Sequence, residues 1–324
     1  MTNSRKYDCL CAGILVADHV CDPVDHMPQA GELVLSKRLS LSIGGCAANV
    51  AVDLAKLERE VGVIGVIGRD IFGGFVREFL EDSGVTCEAL VESETEQTSG
   101  TLIVNVRGED RRFIHTVGAN AEFTAKEIDA SLLKNCRVLY LGGYCLSDSL
   151  TAENVSSLFE QAQSLGVTTL LDVVIPQPGD YWPRIEPVLK FTDVFFPNED
   201  ESRAITGLVD PLTQARKFHA AGAKTAVVTC GGGGAILVND DGAIRAGSFE
   251  VDFVDGTGSG DAFVAGFIHG LLEGVDVKRC LEYGSALGAS CVRAIGATTG
   301  IFRPAELSEF LSRQKIPLDR VTEL

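Results

Sequence analysis

The 324-residue sequence predicts an α/β fold: a mostly parallel central sheet covered by helices on both faces, with a small antiparallel flap. Three observations carry this expectation. Short apolar runs without polar alternation recur along the chain, as in strands buried on both faces. Segments of helical periodicity separate those runs. Two stretches break the rhythm by alternating polar and apolar residues, as half-exposed strands do.

In chain order, strands are expected at Asp8–Gly13, Val61–Ile67, Val138–Leu141, Thr168–Val173, Val194–Pro197, Ala226–Cys230 and Ala235–Asn239. Helices are expected at Ala47–Leu57, Phe72–Ser83, Ala152–Leu165, Glu199–Thr206, Pro211–Ala221, Ala262–Leu272, Val277–Ala294 and Pro304–Arg313. The alternating stretches are Glu32–Ile43 and the pair Gly100–Val106 and Arg112–Val117, joined by the polar turn 107–111. They predict a flap over a cleft, built from about 14–43 and 98–118, on one domain spanning 1–324. Such a flap can exclude water during group transfer.

The chain exceeds the roughly 250–300 residues at which single cores stop growing, so one large domain with a small appendage fits. Hydrophobic residues at 45% and charged residues at 23% fit a globular chain with a sizeable core. The net charge of −17 repels nucleic-acid phosphates and anionic membranes, so neither is expected as a partner. An anionic ligand must then be held by local dipoles and a few cations. No apolar run reaches the ~18 residues of a membrane span. The ten cysteines show no CxxC pair and no zinc spacing, which suggests reduced thiols in a cytoplasmic protein.

Four segments carry chemistry. In Val254–Phe263, the turn Gly256-Thr-Gly258-Ser259-Gly260 runs into an apolar helix. Glycines let backbone N–H groups converge, and the helix start adds free donors and a positive dipole end, a site for phosphates. Asp261 stands at its mouth, either as a functional carboxylate or as the N-cap. In Ile43–Leu57, Gly44 and Gly45 lead into a second helix with Asn49 among Ala and Val. An amide there can hold sugar hydroxyls or be a satisfied core residue. The third segment, Asn198-Glu-Asp-Glu201, follows the strand Val194–Pro197, at the strand end where α/β sheets bind ligands. Its oxygens could organise Mg²⁺ or simply favour a helix start. In the fourth, Thr229–Gly234, a strand and not a helix follows the glycines. That rejects a dinucleotide fingerprint and fits a turn against which a nucleotide lies.

In this order, the segments resemble the ribokinase-like (PfkB) carbohydrate kinase family. Gly44–Asn49 is similar to its N-terminal signature, Asp255–Asp261 to its C-terminal signature, Asn198 and Glu201 to its N-x-x-E motif. Gly68–Asp70 with Gly73 and Gly118–Asn120 are also similar to family segments, so the resemblance runs from about Asp8 to Gly300. It implies a ribokinase-like three-layer α/β/α sandwich with a β-sheet lid that often forms a homodimer interface, and phosphorylation of a sugar hydroxyl by ATP with Mg²⁺.

Carried over residue by residue, Asp261 is the base, and Gly258, Ser259 and Gly260 form the anion hole. Asp18, Gly45 and Asn49 face the sugar; Asn198, Thr229, Gly231, Gly234 and Ser285 lie by the nucleotide; Glu201 acts on Mg²⁺, through water. Asp255, Thr257 and Gly296 match a K⁺ site found in some members, although Gly300 stands where ribokinases have Ser. Ribokinases also carry Lys where Cys46 stands and Glu near Gly142, Gly143 and Tyr144, and many members have Asn where Ser285 stands. These departures argue against ribose. A nucleoside kinase would use Phe113 or Tyr144 as a wall for a base. A sugar-phosphate kinase would use Lys37, Arg38, Arg69, Arg107, Arg111 or Arg112 for the phosphate. An inactive sugar-binding regulator, the reading outside the kinases, would not need the base Asp261.

Overall fold

The computed structural model describes residues 5–109, 112–176 and 178–321. Its elements in chain order are β1 (Tyr7–Gly13), β2 (Val16–Val24), β3 (Leu39–Gly44), α1 (Cys46–Lys56), β4 (Val61–Ile64), β5 (Val66–Gly68) and α2 (Ile71–Asp82). Then come β6 (Val91–Ser93), β7 (Gly100–Val106), β8 (Arg112–Thr116), α3 (Ala130–Lys134), β9 (Cys136–Tyr144), α4 (Ala152–Ser164), β10 (Thr168–Val173) and α5 (Trp182–Leu189). The rest are β11 (Val194–Phe196), α6 (Glu199–Thr206), α7 (Pro211–Ala220), β12 (Thr225–Thr229), β13 (Ala235–Asn239), β14 (Gly242–Ala246), α8 (Ser259–Glu273), α9 (Val277–Cys291), α10 (Pro304–Arg313) and β15 (Leu318–Val321).

Nine strands form the central sheet in the order β15-β14-β13-β12-β11-β10-β9-β1-β4. From β12 to β4 the neighbours run parallel, and β13, β14 and β15 add an antiparallel edge. Successive strand residues point to opposite faces. Cys9 and Cys11 of β1 therefore join one core, with α1, α2, α8, α9 and α10, while Leu10 and Ala12 join the other, with α3 to α7. This is the expected three-layer arrangement.

A separate four-stranded sheet, β3-β2-β7-β8, stands where the lid is expected. Its strands fall within 14–43 and 98–118 except for the last residue of β3. Two fasteners tie its root to the body. Asn120 accepts from Leu15 N–H at 3.1 Å and donates to Leu15 C=O at 3.0 Å. Asp70 caps α2 and also accepts from Thr98 N–H and Oγ1 at 2.8 and 2.7 Å. The family segments 68–73 and 118–120 thus fasten the smaller sheet to the body.

Several expectations need correction. Val61–Ile67 is not one strand: the chain breaks at Gly65, where a Cβ would sit 2.6 Å from the Gly13 carbonyl, and β5 pairs with β6 instead. In Glu32–Ile43 only Leu39 onward is a strand, because β2 pairs with β3 no further than Cys21 and Leu39. Leu33 and Leu35, which alternate as a strand would, are instead exposed in irregular backbone. The helix expected at Val277–Ala294 ends at Cys291. β2, β6, β14, β15, α3 and α5 were not anticipated as elements.

Candidate active site

α8 starts on the glycine turn, and its start is sterically specified. Gly258 is the N-cap with φ 77°, and a Cβ there would lie 2.5 Å from the Ala297 carbonyl, so glycine is required. Nothing lies within 4 Å of a Cβ built on Gly260, so this backbone faces open space. Asp261 is the third helical residue and not the cap.

α1 begins in the same way. Its N-cap Gly45 has φ 89°, and a Cβ there would sit 2.5 Å from the Ile14 carbonyl. This turn sets Cys46 and Asn49 against α8. Asn49 Nδ2 donates to Asp261 Oδ2 at 2.8 Å. Cys46 Sγ and a carboxylate oxygen from each of Asp172 and Asp261 lie within 4.8 Å of one another. Tyr140 Oη donates to Asp172 Oδ2 at 3.1 Å.

The cluster is electrostatically crowded. Burial pushes the Asp261 carboxyl up, and the hydrogen bond from Asn49 partly opposes it. Asp172 is pushed well above the usual carboxylate range by burial, then by the charges of Glu201 and Asp261. Glu201 rises to about 7 through burial, against the pull of the Asn198 N–H and with the Asp261 charge adding to it. Asp18, on β2, is pushed to about 6, first by burial and also by Asp261; Thr101 donates to it.

On the other side of the glycine turn lies a cavity of about 570 Å³. Asn198, Thr229, Gly231, Gly234, Ser259, Gly260 and Ser285 all line it, so the residues expected near a nucleotide converge. Phe249, Val251, Phe253 and Val292 give it an apolar wall. Asn198 also holds local structure: its side chain caps α6 and, with Glu201, forms a capping box. Of the acidic residues beside it, Asp200 pairs with Arg203, whereas Glu201 turns toward the carboxylate cluster.

Asp18 meets the second signature at a smaller pocket between lid and body, lined also by Asn105, Asp255, Thr257 and Gly296. Asp255 Oδ1 accepts from Thr257 N–H and Oγ1 at 3.0 and 2.8 Å, and Oδ2 accepts from Gly296 N–H at 3.0 Å. These three expected residues are together, fastening the glycine turn to the loop after α9.

Asp172 was missed as a site residue. Its position near the carboxyl end of the parallel strand β10 was the available signal. Cys46 was noticed only as a departure, and the fold turns it into a bridge between two acids. Tyr144 is wholly buried, with its Oη on the Arg184 carbonyl, and is no wall for a base. Phe113 lies on the exposed strand β8.

The chain is similar to known proteins over nearly its whole length. The profile described as pfkB family carbohydrate kinase matches residues 6–303. A 5-dehydro-2-deoxygluconokinase from Clostridium perfringens is 27% identical, over 96% of this chain and 94% of its own. An ATP-dependent ribose-1-phosphate kinase from Halopiger xanaduensis is 32% identical, over 90% of this chain and 94% of its own. The structure of Arabidopsis thaliana ribokinase complexed with ribose and ATP superposes with a TM-score of 0.82 at 23% identity, covering 94% of this chain and 98% of that one.

Proposed function

This chain belongs to the pfkB family of carbohydrate kinases, and from that premise we propose that it moves the γ-phosphoryl group of ATP onto a hydroxyl of an uncharged sugar or polyol, with Asp261 as the base. One observation carries the reading. Ser259 and Gly260 line the large cavity, and the next residue, Asp261, is hydrogen-bonded to Asn49 on its far side. A nucleotide phosphate and a sugar hydroxyl would meet across this one turn of backbone.

Phosphoryl transfer demands in-line positioning and stabilisation of equatorial charge more than covalent help. The N–H groups of the Gly258–Gly260 turn and the α8 dipole supply that potential. As the sugar oxygen bonds to phosphorus and the bond to ADP breaks, the hydroxyl proton passes to Asp261. Its raised affinity for protons suits it to that step. Mg²⁺ fits beside Glu201, a carboxylate crowded by Asp261 and so in want of a cation. When bound, Mg²⁺ neutralises phosphate charge and helps align the donor. None of these steps uses K⁺; the Asp255 carboxylate accepts three hydrogen bonds from its own loops.

The substrate charge follows from the acids. Asp18, Asp172 and Asp261 crowd the sugar side. The lid-side arginines face acids of their own: Arg38 with Asp22, Arg69 with Glu92 and Glu94, Arg107 with Asp25, Arg112 with Glu109. Lys37 is exposed, and Arg111 lies outside the described residues. An anionic substrate is therefore disfavoured. A coupled ADP-release assay with MgATP across free sugars, sugar acids, sugar phosphates and nucleosides tests this. The highest kcat/KM should belong to an uncharged sugar, and preference for a sugar phosphate would refute the charge argument.

The lid also exposes Leu39, Leu41, Leu102, Phe113 and Ile114. We read this surface as the seat of a second copy of the chain. All ten cysteines are unpaired, which suits a reducing cytoplasm. Among the described residues no helix is long and apolar enough to cross a membrane.

A further inference from the structure

α1 carries a carboxyl that the reaction above does not use. Asp53 stands four residues after Asn49, so both side chains lie on one face of a helix that packs on α8. Asp53 is 0% exposed and Asn49 5%. Among the described residues, five buried side-chain polar atoms have no hydrogen-bond partner, and three of them are Asn49 Oδ1, Asp53 Oδ1 and Asp53 Oδ2. Buried acceptors left without a donor are costly.

No neighbouring donor among the described residues reaches these atoms. Asn49 Nδ2 is given to Asp261. The Lys56 ammonium donates to the Thr298 carbonyl, and none of its N–H groups reaches either Asp53 oxygen. The Cys291 thiol faces the Thr257 and Ala297 carbonyls. A proton on the carboxyl itself would supply the missing donor.

We propose that Asp53 is a neutral carboxylic acid whose O–H donates to Asn49 Oδ1, aiming the Asn49 amide at Asp261. Asp53 is then a positioning residue for phosphoryl transfer, an inference that rests on Asp261 as the base. The logic is one of polarity. An amide presents a donor on one side and an acceptor on the other. A donor at Asp53 holds Oδ1 inward and leaves Nδ2 for Asp261. An ionised Asp53 would attract Nδ2 and turn Oδ1 toward the Asp261 carboxylate, acceptor against acceptor. Burial, with the Asp261 charge adding to it and Lys56 opposing, raises the Asp53 carboxyl well above the usual carboxylate range, in keeping with a neutral acid.

Two measurements test this. The infrared difference spectrum between wild type and Asp53→Asn, taken at pH 8 without substrates, should contain a protonated-carboxyl C=O band that the variant lacks. This arm reads Asp53 directly and stays valid even if Asp261 proved not to be the base. In turnover, Asp53→Asn keeps an N–H donor and should hold kcat within about threefold of wild type. Asp53→Leu removes the donor and should lower kcat about tenfold, the loss expected for one oriented hydrogen bond, with the KM for ATP unchanged. It should also move the acid limb of kcat/KM to higher pH, because Asn49 no longer favours the charged form of Asp261. Absence of the infrared band, an Asp53→Asn variant as impaired as Asp53→Leu, or a fully active Asp53→Leu would each overturn the proposal.

Discussion

At the scale of single residues, the site is a set of carboxyl groups whose proton affinities are raised together. Asp261 must be ionised to accept a proton, and Glu201 to hold Mg²⁺. Burial raises both, Glu201 to about 7. Activity should therefore climb as pH rises through about 7, and Glu201→Gln should move that limb to lower pH while weakening the response to Mg²⁺. A pH–rate profile of both proteins checks this; an unmoved limb would remove Glu201 from the account. Stability has the opposite slope. An acid with a raised folded-state pKa binds more protons folded than unfolded, so its contribution is lost as pH rises from its unfolded value through its folded one. Without ligand, the melting temperature of wild type should fall between about pH 4.5 and 7 relative to Glu201→Gln. Asp261 and Asn49 were legible in the sequence because each follows a glycine turn into a helix. Asp172 was not, because one acid ending an apolar strand is also how such a strand reaches solvent. Asp53 hid in a helical pattern that its burial does not disturb.

At the scale of elements, two helix starts facing each other make the site. The α8 start depends on Gly258, which has a left-handed φ and where a Cβ would lie 2.5 Å from the Ala297 carbonyl, leaving no room for a side chain. Gly258→Ala should cost about 1–3 kcal/mol of stability through backbone strain and contact. It should also raise the KM for ATP, since the N–H groups leave their alignment. Thermal melts and steady-state kinetics together check this, and a variant with wild-type values in both would refute the steric argument. The lid depends on the double hydrogen bond between Asn120 and Leu15. Asn120→Ala should loosen closure and raise ATP hydrolysis in the absence of sugar. Unchanged sugar-independent hydrolysis would count against the lid as a water barrier. The core strands and most helices could be read from the sequence because their burial is two-sided and periodic. The misses share a physical reason. β15 is a polar edge strand whose pairing with β14 spans distant parts of the chain. α5 contains Pro183 and Pro187, which argue locally against a helix and are overruled by packing of Ile185, Val188 and Leu189. The alternation at Glu32–Arg38 is real in the sequence, but β2 supplies no partner there.

At the scale of the whole molecule, the net charge of −17 opposes the binding of an anionic nucleotide. Binding must come from the local N–H groups and Mg²⁺, so the KM for ATP should rise steeply as Mg²⁺ is withdrawn. The exposed apolar side chains of the lid set the second expectation at this scale. Sedimentation should show a dimer, and Leu102→Asp with Ile114→Asp should yield monomers. A wild-type monomer at micromolar concentration would contradict that reading.

The central claim is that Asp261 takes the proton of a sugar hydroxyl. Its most direct test is single-turnover transfer from MgATP to the best sugar of the panel, comparing wild type with Asp261→Asn. The side chain keeps its shape and its contact with Asn49 but loses the base. The account predicts a rate lower by about 10²–10⁴, with nucleotide binding intact. Transfer at close to the wild-type rate would contradict it.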